Sequence, residues 1–412
     1  MALNKKAIKE VLGEVPLAAE LYWQIRQQGR PISKSGSLRR TQKHLLDWVA
    51  QATAARALHP SGQRVMLFST LRYWIEYNTL LAVSLAGLGH QVSHTYLPYT
   101  SWQKRINHFD LRRQNAYIQS ILNPCAPLLN PVSLLELKPS SAPLPDQIAQ
   151  GVKDVSLRDV QYSLQLEDVE LDNPTTPSGQ LYQLRLERNT RAALQFITWL
   201  HAHRPDVIIT PNGMILEMGV LYQVASALDL PVVTYEFGEQ RDRIWLARNA
   251  EVMRQDTNDL WAARRDQPLD ASQWQQVQEL FASRQRASLW ENFSRRWQGQ
   301  PGVGGERVRQ ELGLNERPVI LLAANVIGDS LTLGRQVFSA SMTEWLQRTA
   351  RYFVNRPDVQ LVIRIHPGER YTKGPSVADV VRQALPEMPA HFRLVGANDP
   401  INTYDLVEIA DL

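Results

Sequence analysis

A single cysteine, Cys125, among 412 residues excludes an intramolecular disulfide and any thiolate zinc cluster, and it fits a reducing compartment best. Long apolar runs are also missing. The most apolar stretch, residues 218–228, is closed by Glu217 and Asp229 and falls far short of the ~20 residues that cross a bilayer core. The lysines near the start, Lys5, Lys6 and Lys9, have no apolar segment behind them, so no secretory signal is expected. Charge of one sign is lacking as well: 45 Lys plus Arg face 41 Asp plus Glu, a net charge of +4 without the concentrated basic run of a dedicated nucleic-acid binder. That balance suits anionic small molecules or a peripheral membrane surface.

Metal and nucleophile signatures are equally sparse. The acidic cluster Glu167, Asp168, Glu170 and Asp172 contains no D-x-D and reads as a solvated helix end or loop. The pairs His90/His94 and His201/His203 have no third ligand in view, and neither H-E-x-x-H nor G-x-S-x-G occurs. Cys125 lies in a proline-framed turn without an obvious base.

What is present is patterned. Residues 1–60 read as an N-terminal helical segment broken by Gly29, Pro31 and Gly36. Residues 64–70, RVMLFST, form a short apolar run, followed by a helical pattern ending at Gly87 and Gly89 and then by the strand-like HQVSHTYLPY. Strand, helix and strand make a βαβ unit and imply a parallel sheet. A second unit follows in DVIITPNG, GVLYQVASALDL and PVVTYEFGE. Together these make residues 61–300 one Rossmann-like domain, with a helical insertion over about 100–200 and helices over 255–300. The glycines of QGQPGVGGE, residues 298–306, follow no strand, so they read as a hinge rather than a phosphate loop; residues 301–315 serve as linker and lead-in helix. RPVILLAAN, DVQLVIRIHPGE and FRLVG then supply the strands of a second Rossmann-like domain over 316–412. The fold class is therefore α/β, with two parallel-sheet domains.

Ligands of open parallel sheets bind beyond the carboxyl ends of strands, which directs attention to the residues at those exits. FSTLRYW has no glycine to let a pyrophosphate approach, which argues against a dinucleotide cofactor, although Arg72 stands at that exit. Asn212, Glu217, Glu236, Glu239 and Arg241 follow the next strands. A carboxylate there can act as general base, while Glu217 can equally cap the helix it opens. In the second domain ANVIGDS supplies Asn325, Asp329 and Ser330. RIHPGER places His366, fixed by Pro367, where an imidazole can donate to a diphosphate, with Arg364, Glu369 and Arg370 around it.

RPDVIITPNG, VVTYEFGE, ILLAANVIGDS, VQLVIRIHPGE and INTYDLVEIADL, in this order, resemble bacterial capsule polysaccharide biosynthesis proteins and the wider group of GT-B glycosyltransferases with a His-Pro motif. The resemblance spans about residues 60–412. It implies a GT-B-like, two-domain transferase with the acceptor on the first domain and a nucleotide-sugar donor on the second. It sets His366 against the donor phosphate, and the strand-exit reading adds Arg364, Glu369, Asn325, Asp329 and Ser330 on the donor side. The strand-exit reading adds Glu239, Glu236 and then Glu217 as candidate catalytic bases, with Arg72, Asn212 and Arg241 on the acceptor side. No metal and no cofactor beyond the nucleotide sugar is implied, nor any nucleic-acid partner. The acceptor the resemblance implies is a growing surface polysaccharide or glycolipid, and the place of work it implies is the cytoplasm, peripheral at the inner membrane. A polyol-phosphate transferase of the teichoic-acid type, or a non-catalytic GT-B-like scaffold, are the alternatives. In similar proteins the helix ending ADL continues into a strand and a Gly-x-Glu turn that grips the donor phosphates, whereas this sequence stops at Leu412. The expectation is thus a C-terminally truncated, inactive fragment with an intact N-terminus, an incomplete second domain and an unpaired sheet edge.

Overall fold

The computed structural model describes residues 5–238, 243–288 and 300–412. The apolar run at 64–70 becomes β1 (Arg64–Thr70), every residue of which after Arg64 is buried, as a strand covered on both faces requires. β2 (Gln91–Leu97), β3 (Asn130–Ser133), β4 (Val207–Pro211), β5 (Val232–Phe237) and β6 (Ile244–Arg248) complete a sheet of order β3-β2-β1-β4-β5-β6. β1 to β5 are parallel, with Val65 beside both Val92 and Val207. β6 runs antiparallel to β5: the Gly238 N–H donates to the Arg243 carbonyl (3.0 Å) and the Asn249 N–H to that of Val232 (2.7 Å). Strand order reverses at β1, so the switch point of this doubly wound sheet lies between β1 and β4.

The region read as a helical insertion needs correction. It contains the helices His108–Leu122, Asp146–Leu164 and Pro177–His203, but also β3, which extends the sheet beyond β2. β3 escapes periodicity because it is four residues long and includes Pro131, which an edge strand tolerates. The N-terminal helices Lys5–Glu14, Ala18–Ile25 and Arg39–Arg56 pack onto this sheet's helices through Lys9–Asp110 (2.8 Å), Arg112–Glu20 (2.6 Å) and the buried Leu38 and Leu45.

A second parallel sheet has the order β7 (Val319–Ala323), β8 (Gln360–Arg364), β9 (Phe392–Val395). Leu346, Ala350, Val377 and Val381, from the helices Met342–Val354 and Val377–Ala384, pack with Leu361 and Ile363 on one face. Val308 and Leu406, from Gly305–Glu311 and Thr403–Ile409, pack with Val362 and Val395 on the other. Helices on both faces make this sheet Rossmann-like too, and cover on both sides is the reason the middle of β8, Leu361 to Ile363, is apolar without alternation. The β7 edge is not bare: the Asp411 N–H donates to the Val319 carbonyl (2.9 Å) and the Leu321 N–H to that of Leu412 (2.8 Å). Two Rossmann-like parallel sheets in one chain are the content expected of a GT-B-like fold.

By contacts the chain divides into Met1–Asp159, Leu171–Glu236 and Leu246–Met253 in one compact unit, and Val160–Glu170, Phe237–Trp245 and Arg254–Leu412 in another. The helices Asn258–Arg264 and Ala271–Gln285 thus cluster with the second sheet, where the sequence placed them with the first.

Two further readings are overturned by hydrogen bonds that sequence cannot display. Of the segment read as a hinge, residues 298–299 lie outside the described residues and 303–305 are pinned: Asp405 accepts the N–H groups of Val303 (2.8 Å) and Gly304 (3.3 Å), and Glu408 that of Gly305 (3.1 Å). Successive backbone N–H groups favour an anion, and here the anion comes from the chain itself. Glu167, read as part of a solvated cluster, accepts from the N–H groups of Met342 (2.6 Å) and Thr343 (2.9 Å) and from the Thr343 hydroxyl (2.7 Å). It caps the start of Met342–Val354, where a carboxylate meets unsatisfied donors and the positive end of the helix dipole.

His94 of β2 gives the first unit a pH dependence. Its ring is 0 % exposed, Nε2 lies 3.2 Å from the Ser69 hydroxyl, and Nδ1 has no hydrogen-bond partner. Burial pulls its pKa down from 6.5 to about 4. Between those values the unfolded ring takes a proton that the folded ring refuses, so stability falls as pH is lowered from about 6.5 to about 4 and is untouched above. Denaturant titrations should show a loss approaching about 3 kcal/mol across that window, and His94→Leu should flatten it. The same slope in the variant would assign the acid sensitivity to other groups.

Candidate functional site

At the β4 exit the chain must turn sharply into the helix Leu216–Ala227. Asn212 takes up the left-handed conformation (φ 61°), and its side-chain oxygen accepts the N–H groups of Met214 (3.0 Å) and Ile215 (3.2 Å). Its amide nitrogen is left to donate to Glu236 at 3.4 Å, half-buried at the end of β5. Beneath them the Tyr235 hydroxyl donates to Asn78, whose amide donates to the Phe68 carbonyl (2.7 Å); this ties β5 to β1 and its helix Arg72–Gly87. Burial raises the Tyr235 phenol well above its ordinary value, so it stays a neutral donor.

Glu217 is placed differently from the sequence expectation of a base. It is 1 % exposed and accepts from Arg185 at 2.8 Å. Arg185, 0 % exposed, also donates to Asp159 (2.8 Å) and Asn189 (2.9 Å), and Asp159 accepts the Leu216 N–H (2.6 Å). Burial alone acts to lower the Arg185 pKa, but Glu217 and Asp159 outweigh it and hold the guanidinium charged. A carboxylate locked into such a pair orders the strand exit; taking up a proton would break the pair. Arg72 is exposed on the first turn of its helix, and Glu239 and Arg241 lie outside the described residues.

In the second unit β8 leads directly into His366. It caps the short 3-10 helix Pro367–Tyr371, with Nδ1 accepting the Gly368 N–H at 3.0 Å. That bond fixes the tautomer, so the neutral ring carries its proton on Nε2. His366 lines a cavity of about 370 Å³ with Arg284, Arg364, Arg370, Asn398 and Asp399. Three arginines and an imidazole against one carboxylate suit an anionic ligand. Tyr404 and Arg284, whose guanidinium lies 5.8 Å from the Tyr404 ring centre, also line an adjoining, mainly apolar cavity of about 590 Å³ that includes Trp245 and Phe281.

The other donor-side candidates do not line the His366 cavity. Glu369 accepts from the Ser376 hydroxyl (2.8 Å) and the Val377 N–H (3.0 Å), so its carboxylate caps Val377–Ala384. Asn325 accepts its neighbour's N–H, that of Val326 (2.7 Å), and Asp329 that of Leu331 (2.8 Å), while burial pushes the Asp329 carboxyl up. With the half-buried Ser330 they form a turn packed against the segment after Asp146–Leu164. Gly328, at φ 72°, lies so near the Gln165 backbone that a Cβ would come within 2.6 Å of it. The structure therefore brings His366, Arg364 and Arg370 together, and leaves Asn325, Asp329, Ser330 and Glu369 to their own turns. Sequence reasoning passed over Asn398, Asp399 and Arg284. The polar stretch GANDPIN after β9 was the available signal for the first two, because it too leaves a strand at the ligand edge. Among the described residues no three His, Cys, Asp or Glu side chains gather to hold a metal ion, and no helix is long and apolar enough to cross a membrane.

No protein-family model matches this sequence, and no curated protein matches it. Among solved structures the chain is similar to the calicheamicin glycosyltransferase, at 13 % identity over 81 % of this chain and 70 % of that one, with a TM-score of 0.24. It is similar also to a UDP-GlcNAc 2-epimerase from Neisseria meningitidis bound to UDP-GlcNAc, at 10 % identity over 84 % and 74 %, with a TM-score of 0.21. Likenesses this distant carry no argument, and the fold assignment rests on the two sheets themselves.

Proposed function

We propose that this chain is a glycosyltransferase that binds a nucleotide-sugar donor at the β8 exit and passes the sugar to a surface polysaccharide or glycolipid acceptor at the cytoplasmic face of the inner membrane. The observation carrying this reading is the His366 cavity: an imidazole with a fixed tautomer at a strand exit, among three arginines. In such a reaction the bond from the sugar's anomeric carbon to the phosphate oxygen breaks, and negative charge grows on the leaving phosphate. Donors already in place, His366 Nε2–H and the Arg370 guanidinium, stabilise that charge without reorganisation. A carboxylate at the β5 exit, Glu236 or its neighbour Glu239, takes the acceptor hydroxyl's proton.

Calorimetry with a panel of nucleoside mono- and diphosphates tests the donor side. His366→Ala should weaken the best binder by about 10- to 100-fold, the equivalent of one charge-assisted hydrogen bond. Equal affinity in the variant would make His366 a turn-forming residue only.

A further inference from the structure

Arg364 is the last residue of β8 and is 3 % exposed. Its guanidinium reaches along the sheet edge to both feet of the loop after β9. Nη1 donates to the Gly396 carbonyl at the near foot. Nη2 donates to the Ile401 carbonyl (2.9 Å) and Nε to the Thr403 hydroxyl (3.3 Å) at the far foot, where the helix Thr403–Ile409 begins. Between the feet stand Asn398 and Asp399, which face the same cavity as His366. Within the loop, Asp399 accepts the Gly396 N–H (2.6 Å) and Asn402 the Tyr404 N–H (2.8 Å). These local bonds shape each end but do not join the two ends; the three bonds from Arg364 do.

We infer that Arg364 is a positioning residue, which clamps the loop 396–403 so that Asn398 and Asp399 form the wall of the ligand cavity opposite His366. The sequence offers Arg364 as a donor-binding residue, flanking charge beside His366. Its three hydrogen bonds go instead to two carbonyls and a hydroxyl, in the fork geometry that a guanidinium has and an ammonium lacks. A buried cation satisfied in this way is costly to replace by a point charge, because lysine cannot span acceptors on both feet. The consequence for the ligand is indirect. With the clamp intact the loop presents a preformed wall, and without it each binding event must first order seven or eight residues.

The inference rests on the glycosyltransferase reading only for the identity of the ligand, so the experiment has two arms. Hydrogen exchange of the whole chain, compared between wild type, Arg364→Lys and Arg364→Met, reads the clamp. Amides of 396–403 should exchange at least tenfold faster in both variants, while those of Met342–Val354 keep wild-type rates. Calorimetry with the same nucleotide panel reads the cavity: Arg364→Lys, which keeps the charge, should weaken binding at least tenfold. Unchanged loop exchange in Arg364→Lys, or a uniform loss of protection across the second sheet, would overturn the inference; the latter would make Arg364 a general support of the fold. Fast loop exchange with nucleotide affinity intact would also overturn it, since the loop would then be no wall of the site. If wild type binds no nucleotide, the donor reading fails by itself and the exchange arm still decides whether Arg364 clamps the loop.

Discussion

Replacing Arg185 with methionine should lower the unfolding free energy by about 3–5 kcal/mol, the largest stability loss expected of any single substitution here. The reason lies in what remains behind. Arg185 is fully buried between Asp159 and Glu217, with both ion pairs at 2.8 Å, and its removal leaves two buried carboxylates without their cation. Asn189 can still donate to Asp159 (2.9 Å), but Glu217 loses the cation that holds it. Asp159 also holds the Leu216 N–H, so the left-handed turn at Leu216 (φ 56°) loosens with it. Urea denaturation at pH 7 measures the effect. The triple variant Arg185→Met, Asp159→Asn, Glu217→Gln should recover much of the loss, because it removes the stranded charges. A single variant as stable as wild type would show that the three groups are not coupled.

Glu236→Gln should lower turnover by about 10²–10⁴-fold in a sugar-transfer assay with nucleotide affinity nearly unchanged. Two carboxylates at neighbouring strand exits make this a sharp comparison. Glu236 is half-buried with the Asn212 amide beside it at 3.4 Å. Glu217 is sealed against Arg185. Glu217→Gln should therefore reduce stability first, and turnover only in proportion to unfolded protein, whereas Glu236→Gln should leave the melting temperature in place. Wild-type turnover in Glu236→Gln moves the role of base to Glu239. A stable but inactive Glu217→Gln would reverse the assignment.

The contrast between these two residues shows what a sequence can and cannot display. The sequence delimits β1 at its observed ends because a continuous apolar run has only one way to be buried, between two layers of helices. His366 stands out as a candidate because a strand, an exit and a proline stand next to one another in the chain. Glu217 and Glu236 look alike at that level: both are acids after a strand. What separates them is Arg185, 32 residues before Glu217 and on another helix, and no local pattern announces which acid it will choose. The same holds for Arg364, whose partners in the loop are 32 to 39 residues away, and for residues 303–305, whose partners are about a hundred away. Elements follow from periodicity within a window, while the roles of charged residues follow from pairings between windows. β3 failed for the opposite reason, since four residues with a proline are too few to show any period.

The cap that Glu167 places on Met342–Val354 has a consequence for the order in which this protein is made. Glu167 precedes Thr343 by 176 residues, so at ordinary rates of synthesis it leaves the ribosome roughly 10–35 s before the helix it will cap exists. The chain passes between its two compact units at 159/160, 170/171, 236/237, 245/246 and 253/254, and the short segments Val160–Glu170 and Phe237–Trp245 must wait for the rest of the second unit. Neither unit corresponds to a contiguous stretch of message. A nascent chain halted after β6 holds all of the first sheet's strands, yet carries two segments whose folded partners have not been translated.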